Sequence, residues 1–514
     1  MAQTGARGRS GAGSLGLKRV AQAIVMTESG PVAGIDGAAR VFKGIPYAAP
    51  PVGELRWRAP QPLEAWREPR DAGEFGIDPL QAPAPWLRGA GIGEDCLTLS
   101  VWTPVAAETG SLPVMVWFYG GGFTLGSSSD LRSDGAALAR RGVVVVAINY
   151  RLGVAGWLAH PGLSAGSTES ASGNYGLLDQ IAALGWVKRN IAAFGGDPER
   201  VTAFGVSAGA ACISLLLTSP LAEGLFQQAI LQSPGSLRRL ATLAEAERGA
   251  VRVFGDDPVA LRRAPPQALL ESARLFGAPF ADLDAPRLLR PIVDGWALQG
   301  DEEEAWGQGS ARALPMLIGS NVEEGAFFLG ALPARTLARY RAWVGRNFGA
   351  MADEALALYP VEDDAAVAVQ WTRLFGDHQF NRCVRRIAAL NALREPRTFR
   401  YLFAQRPGAR TAPPTHADEV EFVFGTPNAT RTNADRKVSD AMLGAWVSFA
   451  THGDPNGAGL PRWPAYEGEA DGYLEFGDSI QPGSRWRARE LTFLERHFEA
   501  QRRVSPQRGE SLRA

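Results

Sequence analysis

Ser207 stands in Gly205-Val206-Ser207-Ala208-Gly209, a G-x-S-x-G pattern with an apolar run before it, Val201 to Phe204, and a helix-forming run after it, Ala210 to Leu217. A strand, a sharp turn and a helix form a nucleophile elbow. The flanking glycines remove the Cβ atoms that would obstruct a strained turn, so the hydroxyl can stand at the carboxyl edge of a sheet and attack a carbonyl. The chain holds 59 glycines, so five residues alone are a weak signal. The strand and the helix on either side supply its weight.

A serine nucleophile needs oxyanion donors, a base and an acid. Val114 to Tyr119 reads as a buried strand that runs into Gly120-Gly121-Gly122-Phe123, a loop that exposes backbone N–H groups. Two of these, with the N–H of Ala208, suit the negative oxygen of a tetrahedral intermediate. The chain has five histidines. His160 lies in a Pro/Gly loop, His378 and His497 lie in polar helical stretches, and His452 ends a helix, all positions that read as structural or solvated. His416 instead follows a Pro/Thr-rich loop beyond the strand Phe399 to Phe403, where a hydrolase with triad order Ser, Glu, His keeps its base. For the acid, Met316 to Gly319 reads as a strand leading into Ser320-Asn321-Val322-Glu323-Glu324-Gly325. Adjacent side chains of an extended segment point apart, so one glutamate can face the histidine, and the residues alone leave Glu323 and Glu324 open.

Holding these groups together requires a sheet. Val143 to Ile148 is β-branched and unalternating, as a parallel strand covered on both faces should be. The expected fold is α/β, a mostly parallel central sheet with helices on both faces. Its strands run to about residue 330, return at Thr398 to Phe403 and end near Tyr473 to Phe476. Ala/Arg/Leu-rich stretches between Leu237 and Arg290, and again beyond residue 330, are expected to form helical insertions around the mouth of the active site. Residues 21–500 read as one domain, and 1–20 and 501–514 as disordered tails.

Further motifs span roughly Ile24 to Phe476: Val41 to Ala48, Glu94-Asp95-Cys96-Leu97, Asn149 to Gly153, Gly173 to Gln180, and Asn190 to Pro198 leading to the elbow. With them the chain resembles the type-B carboxylesterases, a family that includes acetylcholinesterase and bacterial p-nitrobenzyl esterases. The resemblance implies an α/β-hydrolase fold with Ser207, Glu324 and His416 as catalytic triad, since the family's acid precedes the glycine of its Asp-Glu-Gly motif. It implies Gly121, Gly122 and Ala208 as oxyanion donors and Ser233 as a supporting hydroxyl, although Pro234 replaces the usual glycine. It also implies a structural pair of Arg151 with Asp179.

Two departures stand out. Val206 occupies the place of the glutamate in the usual Gly-Glu-Ser-Ala-Gly, which removes a negative charge beside the nucleophile and disfavours choline-type substrates. Cys96 matches half of a disulfide found in secreted relatives, but no cysteine stands between Phe75 and Gln81. Cys96, Cys212 and Cys383 therefore read as reduced packing residues.

The chain of 514 residues is 46% hydrophobic and 21% charged with a net charge of −1, the composition of a globular enzyme without an electrostatic footprint for nucleic acid. No apolar run is long enough to span a membrane and no secretory h-region is evident, so a cytoplasmic protein is expected. The chemistry calls for no metal or organic cofactor. Phe123, Phe327, Phe328 and Trp86 are the candidate lining of an apolar pocket for aryl, benzyl or medium-chain alkyl esters. Carbamates or activated amides are the alternative on the same triad, and a non-catalytic adhesion module is the alternative of another class. Oligomeric state is not legible in the residues.

Overall fold

The computed structural model describes residues 22–105, 110–277, 282–408, 410–426, 432–457 and 459–504. The expected tail 1–20 lies outside the described residues, as does 505–514, while the last helix runs past the expected domain edge at residue 500.

A thirteen-stranded sheet organises the chain. Its strands are β1 (Gln22–Met26), β2 (Pro31–Ile35), β3 (Arg40–Pro46), β4 (Thr98–Thr103), β5 (Leu112–Phe118), β6 (Val144–Ile148), β7 (Gly196–Val206), β8 (Gln228–Gln232), β9 (Met316–Asn321), β10 (Thr398–Phe403), β11 (Gly472–Phe476) and β12 (Ile480–Ser484). They lie in the order β1-β2-β3-β4-β6-β5-β7-β8-β9-β10-β11-β12, with the short strand Arg70–Asp71 beside β2. From β6 to β11 every pairing is parallel. Antiparallel strands flank this block on both sides, β1 to β4 on one and β12 on the other. The sequence pattern announced the parallel block and not these flanks, whose half-exposed residues carry a weaker signal.

β6, β9 and β10 are buried at every residue, the burial that a sheet covered on both faces imposes. The covering helices include α1 (Tyr175–Asn190), α2 (Ala208–Leu216), α3 (Arg382–Ala392) and α4 (Asn433–His452), which pack on the strands of the block. α2 is buried throughout. It packs so tightly that a Cβ on Gly209 would stand 2.1 Å from the Phe118 carbonyl oxygen. The buried Arg151–Asp179 pair ties the loop after β6 to α1, with Arg151 Nε and Nη2 donating to the carboxylate at 2.8 and 2.7 Å.

A second apolar cluster, including Trp343, Trp371, Phe375 and Leu491, holds the helical insertion and the C-terminal helix α5 (Ala488–Val504) together. The registers bring the carboxyl ends of the parallel strands to one edge: Gly205 faces Phe118 and Leu231, and Gln232 faces Gly319. Open α/β sheets build their sites at that edge.

Candidate active site

Ser207 links β7 to α2 with φ 55° and ψ −121°, a conformation that L residues rarely adopt. Its N–H donates to the Gln232 carbonyl at 2.8 Å, and its carbonyl accepts from Ala211 N at 2.8 Å, so strand and helix hold the strained residue from both sides. The glycine requirement at Gly205 is steric, because a Cβ there would lie 2.6 Å from the Phe118 carbonyl oxygen.

Gly120 to Phe123 leaves β5 and passes directly over the elbow: a Cβ on Gly120 would come within 3.0 Å of the Ser207 Cβ. Gly121 and Gly122 have φ of 127° and 62°, and a Cβ on Gly121 would collide with the Leu125 carbonyl oxygen at 1.9 Å. Among the described residues, the N–H groups of Gly121, Gly122 and Ala208 donate to no protein acceptor. Gln81 braces the loop by a two-way exchange with the Gly126 backbone, at 2.7 and 2.8 Å. The buried Phe123, itself at φ 69°, packs edge-on against Trp157 at 5.3 Å.

The structure separates the two glutamates. Glu324, 1% exposed, lies 2.5 Å through Oε2 from His416 Nδ1, while Glu323 turns outward toward Arg373 and Arg487 at 3.6 and 3.9 Å. Glu324 Oε1 accepts from Ser233 Oγ and from the Asn321 N–H, each at 2.6 Å. Ser233 reaches it from a positive φ of 49° after β8, with Pro234 no obstacle to the contact. A parallel bridge between Glu323 and Thr415 sets the acid loop beside the histidine loop. His416 is buried, and its Nε2 has no hydrogen-bond partner among the described residues. An imidazole whose Nδ1 faces a carboxylate is left with Nε2 to accept a proton.

Sequence reasoning missed a second buried acid. Glu419 receives the Asn321 Nδ2 amide at 2.6 Å and the Gln232 Nε2 amide at 3.2 Å. Burial first, and the Glu324 charge second, push its carboxyl up to about 7. The spacing His416-x-x-Glu419 was visible, but nothing in it shows that the side chain turns into the core beside the acid.

The pocket candidates divide. The Phe328 ring lies 5.3 Å from the His416 imidazole and the exposed Phe327 ring lies 5.9 Å from it, joined by the unforeseen Phe380 at 4.4 Å. Trp86 is partly exposed, with the Arg132 guanidinium 5.9 Å from its ring. Cys96, Cys212 and Cys383 are all buried free thiols, and burial raises each of them.

Among the described residues one grouping has ligand-type atoms close enough for a cation: Asp284, His378 and His497, within 4.8 Å of one another. Gln501 donates to Asp284 at 2.8 Å, and the Phe348 and Phe498 rings pack on the histidines, so this trio reads as a structural clasp. No helix among the described residues is long and apolar enough to cross a membrane.

The model of the Carboxylesterase family matches residues 21–494. The chain belongs to the carboxylesterase family. It is 44% identical over 470 residues to the fumonisin B1 esterase of Sphingopyxis macrogoltabida, covering 89% of this chain and 87% of that protein. It is 34% identical to the para-nitrobenzyl esterase of Bacillus subtilis, covering 87% and 93% of the two chains. A solved PNB esterase superposes with a TM-score of 0.79 at 34% identity, over 92% of this chain and 99% of the other. This carboxylesterase-family chain thus has the α/β-hydrolase fold and is a carboxylic ester hydrolase.

Proposed function

We propose that the chain is a serine esterase that acts through an acyl-enzyme, with Ser207 as nucleophile, His416 as base and Glu324 as the acid that orients it. The observation that carries this reading is the 2.5 Å contact of His416 Nδ1 with a buried Glu324, opposite an Nε2 that no described residue occupies. As Ser207 Oγ attacks the ester carbonyl its proton passes to His416 Nε2, and Glu324 stabilises the imidazolium. The N–H groups of Gly121, Gly122 and Ala208 receive the oxyanion. The alcohol leaves with the proton from His416, and water repeats the sequence on the acyl-enzyme.

The Phe327, Phe328 and Phe380 rings beside His416 favour an apolar leaving group, so aryl, benzyl and short or medium alkyl esters are the proposed substrates. Val206, buried beside the oxyanion loop, offers nothing to a cationic substrate. The test is hydrolysis of p-nitrophenyl and p-nitrobenzyl esters of graded acyl length by wild type and Ser207→Ala, with fumonisin B1 included because of the 44% identical relative. Turnover that disappears in Ser207→Ala supports the reading, and turnover that survives the substitution refutes it.

A further inference from the structure

A small recess of about 40 Å³ adjoins the oxyanion loop and the nucleophile helix. Phe123 and Ala211 line it together with Arg238, Arg287 and Arg290. Ala211 lies one helical turn beyond Ser207, and Phe123 directly follows Gly122, so the recess is built on the same two elements that carry the nucleophile and the glycine loop.

Three guanidiniums are more than packing requires in such a place. Arg290 lies over the Phe123 ring at 5.0 Å, and no carboxylate pairs with it among the described residues. Arg238 gives one N–H to the Gln379 carbonyl at 3.3 Å, while its Nε and Nη1 are buried without a hydrogen-bond partner. Arg287 donates to Gln379 Oε1 at 3.2 Å. Glu302 is the acid on the wall, and its two oxygens are already engaged by Ser214 Oγ at 2.5 Å and Leu237 N at 2.8 Å. Burial pushes Arg238 down to about 10, and burial together with the Arg238 charge pushes Arg290 down to about 9. Both stay cationic at neutral pH and crowd one another, which an anion would relieve. A guanidinium offers a carboxylate two parallel N–H donors, so the natural occupant is a carboxylate.

The side of the scissile bond follows from the mechanism. The departing alcohol takes its proton from His416, so it lies toward the aromatic rings around that imidazole. The recess is instead walled by the residue that follows the glycine loop and by α2, which the geometry points to as the acyl side. We propose that it binds a carboxylate on the acyl group, which makes the preferred substrates half-esters of dicarboxylic or higher acids with a free carboxylate a few carbons from the scissile carbonyl. This rests on the esterase reading given above, and it specifies the acyl group that reading left open.

The test compares kcat/KM of the full-length enzyme for monobenzyl glutarate, benzyl hexanoate and 4-carboxybenzyl hexanoate, following the released alcohol chromatographically. Wild type is expected to favour monobenzyl glutarate over benzyl hexanoate by about 10-fold to 100-fold, the worth of hydrogen bonds to a charged group. Arg290→Met and Arg238→Met are each expected to lower that ratio by about tenfold or more, with Arg290→Lys in between because it keeps charge and loses the fork. The ratio is taken within each variant, so it does not depend on how much of the variant folds. A wild-type preference for benzyl hexanoate, a preference for 4-carboxybenzyl hexanoate, or a ratio unmoved by both Met variants overturns the inference while leaving the esterase reading in place. Turnover that persists in Ser207→Ala overturns the esterase reading itself.

Discussion

Replacing Glu324 by Gln keeps shape and volume and changes one oxygen into an NH2 group. The amide has two places to put that group. At Oε1 it would meet the Asn321 backbone N–H, a donor that cannot turn away, held at 2.6 Å. The NH2 must therefore take the Oε2 position, 2.5 Å from His416 Nδ1. Nδ1 then has to accept, the ring proton moves to Nε2, and the imidazole can no longer take a proton from Ser207. Loss of the correct tautomer in the same way has cost a serine hydrolase about 10⁴ in turnover, equivalent to about 5.5 kcal/mol of transition-state stabilisation. The expected result for Glu324→Gln is a fall of about 10⁴ in kcat on a p-nitrophenyl ester, with an unchanged fold by circular dichroism. Glu323→Gln loses only its contacts of 3.6 and 3.9 Å with partly exposed Arg373 and Arg487, and such pairs are worth about 0–1 kcal/mol. Its kcat should stay within about fivefold of wild type. If Glu324→Gln kept a tenth of the activity, or Glu323→Gln lost as much as Glu324→Gln, the assignment of the acid would be wrong.

Glu419 makes stability depend on pH. Its carboxyl is raised from 4.5 to about 7, so the folded state holds a proton that the unfolded chain releases, and stability falls as pH rises through that window. Glu419→Gln should flatten the decline by an amount on the order of 2–3 kcal/mol in urea titrations between pH 4.5 and 7, leaving the part due to Glu302, raised to about 7 by burial. Gly121→Ala places a Cβ 1.9 Å from the Leu125 carbonyl oxygen, so the loop must move. The expected loss is about 10²–10³ in kcat, the cost of one oxyanion donor, read by stopped-flow acylation. Arg151→Met strands Asp179, which is 0% exposed, and should cost about 3–5 kcal/mol in chemical denaturation.

The elbow, the glycine loop and the parallel strands were legible because each is local: a few adjacent residues state both the backbone shape and its burial. His416 was legible by elimination among five histidines. The choice between Glu323 and Glu324 was not legible from the residues alone, because adjacency shows that they diverge and not which one turns inward; the family motif supplied it. Phe380 and Glu419 were missed, since their positions depend on how a helical insertion and a post-strand loop return to the sheet. The wall of Arg238, Arg287 and Arg290 combines two separate loop segments, so no window of sequence displays it.

One π-helical turn, Asp377–Asn381, hands successive side chains to separate tasks, His378 to Asp284, Gln379 to Arg287 and Phe380 to the His416 ring, while the Gln379 carbonyl accepts from Arg238. Asp377 at its start is clamped by Arg487, just before α5. The extra residue in the turn is what splays these neighbours in different directions. The C-terminal helix is thereby tied through one turn to the arginine-lined recess and to His416 at once.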